Sequence, residues 1–156
     1  MSRRLLLIVL SALTLLVVVV LVERALISDE ERVEMSYDLL RAAVEEESVQ
    51  GLELLLTPDF SFSGPSPIQH GSRATAFARF AQFWAVAGDV GVLPRGTSEV
   101  TVVGGIATLR VPQLVRFKMG DQFVAYRVDA VLTFDRIGDA FQLAQIEVTQ
   151  LRPGLL

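Results

Sequence analysis

The hydrophobic and polar positions divide the chain into an apolar amino-terminal block, a helical front half and a β-patterned second half. The block from Leu5 to Val22 runs for 18 residues without a charged side chain. A helix of that length extends about 27 Å, close to the thickness of the hydrocarbon core of a bilayer. We therefore predict a single-pass transmembrane signal anchor over residues 1–27.

Two other interpretations of the apolar block fit less well. A buried core helix would carry a polar stripe, and a cleaved signal peptide would end in a small-x-small site, whereas Glu23 and Leu26 occupy the candidate sites here. Arg3 and Arg4 precede the block and acidic residues follow it, so the positive-inside rule puts the amino terminus in the cytoplasm. We expect the protein in the cytoplasmic membrane, with its carboxy-terminal domain periplasmic or extracellular.

The front half reads as three helices and a short strand. Ser28 and Glu31 have the spacing of a capping box, and apolar residues then recur every three or four positions to about Glu47. A short helical piece is predicted from Leu52 to Leu56. Phe60 and Phe62 follow in a brief strand, and the prolines of 64–71 mark a loop. A third helix, capped by Ser72 and ended by Gly88, carries an aromatic face made of Phe77, Phe80 and Trp84.

The second half is predicted to be an antiparallel meander. Glycine-containing turns separate four runs with β patterning. Pro112 interrupts the second run and predicts a bulge or a local edge there. The predicted strands are Thr97–Val103, Ile106–Lys118, Gln122–Asp135 and Ala140–Gln150. Helices followed by a meander indicate the α+β class.

Three features of this pattern resemble the superfamily of nuclear transport factor two-like, SnoaL-like and ketosteroid isomerase domains. They are the acidic first helix, the run from Gly51 to Phe62, and Gly71 before the aromatic helix. The closing run from Phe134 to Thr149 has Phe141 where the family often has tryptophan. The resemblance covers about residues 30–150. It implies a cone-shaped domain over residues 28–152, with helices packed on a curved antiparallel sheet, and a short tail over 153–156.

The resemblance also bears on function. Relatives of this kind hold a small apolar molecule in the mouth of the cone, and many others are inert binding or dimerising modules. The base aspartate of the family isomerases falls on Gly64 here, a second carboxyl falls near Asp129, and a helix-one tyrosine falls about one turn from Tyr37. Because the proton-abstracting group is missing, the isomerase reaction lacks its first step. We predict no catalytic residue.

Two interpretations of the final hairpin remain open. If side chains simply alternate between the two faces of the strands, the apolar side of the hairpin belongs to the core and its polar side faces water. If the hairpin instead has the register that the resemblance implies, the side chains of Gln145 and Glu147 point into the cone, and Val128 and Leu132 lie on the outer side of the sheet. The pocket candidates under the second interpretation are Tyr37, Trp84, Asp129, Gln145 and Glu147.

Composition removes several classes of function. There is no cysteine, which excludes disulfides and thiol chemistry, and a single histidine, His70, gives no transition-metal pattern. We predict no metal and no cofactor. The net charge of −4 disfavours nucleic acid as a partner.

The first hypothesis for function is a membrane-anchored, non-catalytic interaction or assembly module that binds a protein partner or a second copy of itself. The alternative is a domain that binds a small apolar ligand in the cone, or an isomerase-like or hydrolase-like enzyme that uses the same pocket.

Overall fold

The three helices of the domain begin where the sequence supplies caps. In the computed structural model, which describes residues 13–19 and 27–154, they are α1 (Asp29–Glu45), α2 (Val49–Leu55) and α3 (Arg73–Trp84). The predicted capping box is confirmed, because the Ser28 side chain accepts from the Glu31 N–H and the Glu31 carboxylate accepts from the Ser28 N–H. Ser72 caps α3 as predicted. The third helix ends at Trp84, earlier than the predicted Gly88.

In the described part of the chain, seven strands follow or separate the helices. They are β1 (Leu56–Ser63), β2 (Gly71–Ser72), β3 (Ala87–Pro94), β4 (Glu99–Val103), β5 (Ile106–Met119), β6 (Gln122–Ile137) and β7 (Ala140–Pro153). Strand β3 was not predicted. Its sequence contains Gly88, Asp89 and Gly91, and its register with β5 shifts between the two glycines, so a stretch with the composition of a turn nevertheless pairs as a strand.

All seven strands belong to one sheet with the order β2-β1-β7-β6-β5-β3, and β4 also pairs with β5. Strands β1 and β7 run parallel, whereas the other pairs are antiparallel. The sheet is therefore mixed, and the prediction of a purely antiparallel sheet is wrong. A parallel pair needs a long connection between its strands, and β2, α3 and β3–β6 provide it here.

Pro112 lies where β5 changes its neighbour. Strand β5 pairs with β6 from Ile106 to Met119 without a register shift, so there is no bulge between these two strands. On the other side, β4 covers β5 up to Arg110 and β3 covers it from Gln113 onward. Pro112 is therefore at a local edge, which was one of the two predicted options, and its carbonyl accepts a hydrogen bond from the Arg95 N–H (2.7 Å).

The core lies between the helices and one face of the sheet, which we call the helix face; the opposite side is the outer face. Helix α1 contributes a stripe of Val33, Tyr37 and Leu40, spaced by four and three residues. The most completely buried large side chains come from α1, α2 and the meander: Phe134, Phe141, Leu52, Leu109, Leu143 and Val33. The architecture is α+β, with helices on a mixed sheet.

The amino-terminal prediction falls mainly on residues that are not described. Of the predicted anchor, the structure describes residues 13–19, which are helical and exposed, together with residue 27. In these ranges and in the domain up to residue 154, no helix is long and apolar enough to cross a membrane. The rest of the predicted anchor, with Arg3 and Arg4, lies outside the described residues.

Candidate ligand-binding site

The final hairpin places its apolar side on the helix face. Val128 and Leu132 are 8% and 2% exposed and belong to the core. Ile146 and Val148 of β7 also pack against the core. Simple alternation therefore describes this hairpin correctly. The family-register interpretation, which put Val128 and Leu132 on the outer sheet, is wrong.

An apolar space of about 240 Å³, which we call the inner cavity, lies between α1, α3, β3 and the helix face. Its walls include Leu40 and Val44 from α1, Val92 from β3, and Ala130 and Leu132 from the sheet. Three polar side chains also line it: Tyr37, Arg41 and Gln113. The inner cavity therefore has apolar walls and one small polar region.

A second space of about 350 Å³, which we call the side cleft, adjoins the inner cavity. Four side chains line both spaces: Phe80, Phe83, Ile146 and Val148. Arg79 also lines the side cleft, where its guanidinium lies 5.1 Å from the centre of the Phe62 ring and donates to the Ile68 carbonyl. The side cleft is thus an extension of the same apolar site.

Tyr37 is the central polar group of the inner cavity. Its position on the buried stripe of α1 leaves it 7% exposed, and its hydroxyl donates to Gln113 Oε1 at 2.9 Å. Burial raises the pKa of Tyr37 to about 12; the nearby Arg41 guanidinium lowers this pKa, and Asp38 and Glu45 raise it. At neutral pH the phenol therefore stays protonated and forms hydrogen bonds without removing protons.

Arg41 lies one helical turn after Tyr37 and joins α1 to β3. Its Nε donates to the Val92 carbonyl (3.0 Å) and its Nη1 pairs with Asp38 Oδ1 (3.0 Å). Glu45, one turn further, accepts from the Val92 N–H (2.7 Å). The hydrogen bonds to Arg41 and Glu45 hold the carbonyl and the N–H of Val92 against α1. Sequence reasoning missed Arg41 because it placed this residue off the apolar stripe, although the four-residue spacing from Tyr37 was a signal that the two share a face.

Trp84 lies beside the site rather than in its wall. Its ring stacks on Phe80 with the ring centres 5.3 Å apart, and it packs against a smaller core cluster around Phe117. The Trp84 Nε1 is buried and has no hydrogen-bond partner within residues 13–19 and 27–154. Because Phe80 lines both cavities, the environment of Trp84 is coupled to what fills them.

The other three pocket candidates lie on the outer face. Asp129 is half-buried, whereas Gln145 and Glu147 are exposed, and all three point away from the helices because they alternate with core residues on their strands. The Thr149 hydroxyl donates to the Asp129 carbonyl at a bulge of β7. The structure therefore separates Asp129, Gln145 and Glu147 from Tyr37.

Gly64, on which the resemblance places the isomerase base, directly follows β1. A Cβ built there would lie 2.9 Å from Ile68 Cγ2 and 3.0 Å from Val148 Cβ, so a side chain would force its neighbours apart. Among the described residues that line the two cavities, none carries a carboxylate. No group of three acidic or histidine side chains in 13–19 and 27–154 is arranged to hold a metal ion.

Three helices on a mixed sheet, with an apolar cavity between the two layers, define a nuclear transport factor 2-like (NTF2-like) fold. An NTF2-like protein from Cytophaga hutchinsonii has this fold, with a TM-score of 0.67, 14% identity, and coverage of 78% of this chain and 98% of its own. A candidate dehydratase of the NTF2-like family from Streptomyces avermitilis aligns with a TM-score of 0.70 and 21% identity, over 82% of this chain and 97% of its own.

A candidate aromatic ring hydroxylase from Novosphingobium aromaticivorans aligns equally well, with a TM-score of 0.71 and 14% identity, over 81% of this chain and 93% of its own. No protein-family model and no curated protein matches the chain. At these identities the similarity establishes the fold, and the activity must be inferred from the residues of the site.

Proposed function

We propose that the domain binds a small, mainly apolar molecule that carries one alcohol or carbonyl group, and that it does so without catalysing a reaction. The observation that carries the proposal is the Tyr37–Gln113 pair in the wall of an otherwise apolar cavity. Small-molecule pockets combine apolar walls with a few placed polar groups and have volumes of roughly 300–1,000 Å³. The inner cavity is slightly smaller than this range, and together with the side cleft it falls within it.

The pair has hydrogen-bonding capacity left for a ligand. The Tyr37 oxygen donates to Gln113 and keeps lone pairs that accept from a ligand hydroxyl. The Gln113 amide nitrogen has no hydrogen-bond partner in the part of the chain that the structure describes, and it can donate to a ligand carbonyl. The Arg41 guanidinium adds a fixed positive charge beside this polar region.

The same three groups explain why we propose binding rather than catalysis. A general base must accept a proton near the working pH, whereas the Arg41 guanidinium carries donors and no acceptor and Tyr37 has a pKa of about 12. Gln113 does not titrate. Two structural neighbours are candidate enzymes, which supports a small-molecule site in this fold, but an isomerase-like or hydrolase-like reaction here would need a base that the lining residues do not provide.

The sole tryptophan, Trp84, gives a direct assay. Titration of the purified full chain with a panel of planar ketones and alcohols should change Trp84 fluorescence, because Phe80 stacks on Trp84 and lines both cavities. We expect Tyr37→Phe to weaken binding of the alcohols about tenfold, because it removes the oxygen that accepts a hydrogen bond from the ligand hydroxyl. The matched control is Tyr126→Phe, which removes the other tyrosine hydroxyl from a residue that lines neither cavity.

Binding that is equally strong in wild type and Tyr37→Phe would refute the role of Tyr37. Ala130→Leu, which fills the inner cavity, should abolish binding while far-ultraviolet circular dichroism shows an intact fold. A ligand that binds this variant normally would place the site elsewhere.

We also propose that the apolar block over residues 1–27 tethers this domain to the cytoplasmic membrane, with the domain outside the cytoplasm. The sequence of the block and the flanking charges support this proposal. Protease added to intact cells whose outer envelope has been made permeable should then degrade the domain. Full protection, or recovery of the chain in the soluble fraction, would contradict the tether.

A second candidate function is self-association, and one observation favours it. Leu39 of α1 and Leu54 of α2 are 58% and 70% exposed and line a groove between these helices. Exposed apolar residues that form a group mark interaction surfaces more often than scattered ones. Crosslinking of the full chain in membranes should yield a dimer that Leu54→Glu removes, and a chain that stays monomeric at high concentration would refute this candidate.

A further inference from the structure

Three arginines surround a single depression on the outer face of the sheet. Arg95, Arg127 and Arg152 line this space of about 380 Å³ together with Leu114, Pro153 and Gly154. The depression lies on the opposite side of the sheet from the inner cavity. It is therefore independent of the proposed apolar site.

The backbone of the sheet positions these arginines. Arg127 on β6 and Arg152 on β7 are directly opposite each other in the antiparallel register. Side chains at such positions lie on the same face, with Cβ atoms about 5 Å apart. Arg95 follows β3, and its N–H is fixed by the hydrogen bond to the Pro112 carbonyl (2.7 Å). Three separate segments of the chain thus bring their guanidinium groups to one place.

The carboxy-terminal segment closes one side of the depression. The Gly154 N–H donates to the Ala125 carbonyl (2.8 Å), which holds this segment against the start of β6. A Cβ at Gly154 would lie 2.7 Å from Leu114 Cδ1, so glycine allows the backbone to pack directly on that buried leucine. The depression therefore has a closely packed apolar base with arginines around it.

The described part of the chain does not neutralise the positive charge of the depression. Within residues 13–19 and 27–154, the side chains of Arg95, Arg127 and Arg152 form no ion pair and no hydrogen bond. Asp129 follows Arg127 by two residues on the same face but does not pair with it. Like charges directly opposite each other in a sheet are destabilising. A chain with a net charge of −4 nevertheless keeps this concentration of positive charge.

We propose that the three arginines form a binding site for the phosphate group of a small soluble molecule. Guanidinium groups bind phosphate oxygens in pairs of parallel hydrogen bonds, and three of them around a concave space suit a dianion with oxygens in several directions. An anion in this site would also remove the repulsion between Arg127 and Arg152. The domain then binds two different ligands, a mainly apolar molecule in the inner cavity and a charged phosphate compound on the outer face.

The position of the depression disfavours a lipid headgroup as the source of the phosphate. Strand β6 extends ten residues from Arg127 to Ile137, a distance of about 33 Å. Ile137 lies beside Ile27, where the domain meets the predicted anchor. A membrane that held the anchor would therefore be at the far end of the sheet from the arginines.

Isothermal titration of the purified full chain with inorganic phosphate and with pyrophosphate, at constant ionic strength, tests the proposal. We expect saturable binding that Arg127→Gln weakens at least tenfold and that Arg95→Gln weakens similarly. The control is Arg110→Gln, an exposed arginine of β5 outside the depression, which should change the affinity less than twofold. An equal loss in Arg110→Gln, or no binding of either anion by the wild type, would overturn the proposal.

Two further measurements distinguish a phosphate site from a structural role of the arginines and from lipid binding. Without an anion, Arg127→Gln should melt no lower than the wild type, because the substitution removes a repulsive pair; a lower melting temperature would mean that Arg127 has a structural role instead. Vesicles of phosphatidylglycerol should bind no more strongly to the wild type than to Arg127→Gln. Vesicle binding that depends on Arg127, without binding of free phosphate, would refute a soluble ligand.

Discussion

The Tyr37→Phe substitution should change the sign of its effect on stability between neutral and alkaline pH. At pH 7 the substitution removes the hydrogen bond to Gln113 and leaves a half-buried acceptor without its donor. Such a loss costs about 1 kcal/mol of the free energy of unfolding. We therefore expect wild type to be the more stable protein at pH 7 by about that amount.

At alkaline pH the ionisation of Tyr37 reverses this order. Burial raises the pKa of Tyr37 from 10.0 to about 12 in the folded protein, so the unfolded chain releases the proton first. A group with a raised folded-state pKa contributes stability that is complete below the unfolded pKa and is lost as the pH rises through the folded pKa. Two pKa units correspond to about 3 kcal/mol, of which about 2 kcal/mol is lost by pH 11.5. Phenylalanine does not ionise, so the variant keeps this contribution.

Urea unfolding followed by Trp84 fluorescence at pH 7, 9, 10, 11 and 11.5 would measure both terms. The difference between wild type and Tyr37→Phe cancels the titration of all other groups, and we expect it to change sign between pH 10 and 11.5. Tyr126→Phe serves as the control, because the Tyr126 hydroxyl forms no hydrogen bond with the described residues. A difference that stays constant over this pH range would refute the argument that burial controls the ionisation of Tyr37.

Three other predictions concern the fold. Leu132→Ala should lower the free energy of unfolding by about 2–5 kcal/mol, because Leu132 is 2% exposed. The control Val103→Ala, at a position that is 72% exposed, should change the free energy of unfolding by less than about 0.5 kcal/mol. Similar urea midpoints for the two variants would contradict the assigned helix face. Ser28→Ala should cost about 1 kcal/mol through loss of the capping box, measured by the same unfolding assay, and a neutral result would mean that α1 begins elsewhere. Glu45→Ala should leave the Val92 N–H without its acceptor and speed the hydrogen exchange of this amide about tenfold. Unchanged protection of the Val92 amide would show that its hydrogen bond to Glu45 does not hold β3 to α1.

The sequence predicted those parts of the fold that local chemistry determines. The capping box at Ser28, the apolar stripe of α1 and the long hairpin after Gly120 all follow from spacing within one segment. Strand β3 could not be predicted in this way, because Gly88 and Gly91 resemble a turn and the strand forms only where β5 offers it hydrogen bonds. The parallel pairing of β1 with β7 was missed for the same reason, since it depends on segments about 85 residues apart.

The candidate site was only partly predictable. Tyr37 was found because it lies on a helical stripe, and its partner Gln113 was missed because the two are 76 residues apart in the chain. Alternation alone identified the side of the β6–β7 hairpin that faces the helices. The likeness to isomerases wrongly placed Asp129, Gln145 and Glu147 in the cavity. The convergence of the three outer-face arginines was not predicted, because it depends on the register of β6 with β7 and on the loop after β3.

Phe80 and Phe83 line both the inner cavity and the side cleft, so under the proposed function their rings would limit the length of the bound molecule. Phe80 is held by stacking on Trp84, and Phe83 by an edge contact with Phe117 at 4.9 Å. Each ring contact contributes about 0.5–1.5 kcal/mol, which favours the observed ring position by a factor of about two to thirteen over a position without that contact. Because both rings line both spaces, a change in the rotamer of either ring would alter the connection between the inner cavity and the side cleft. Under the proposed function, a short ligand would fit the observed shape, and a longer one would need a side-chain movement of Phe80 or Phe83 without a rearrangement of helix or sheet.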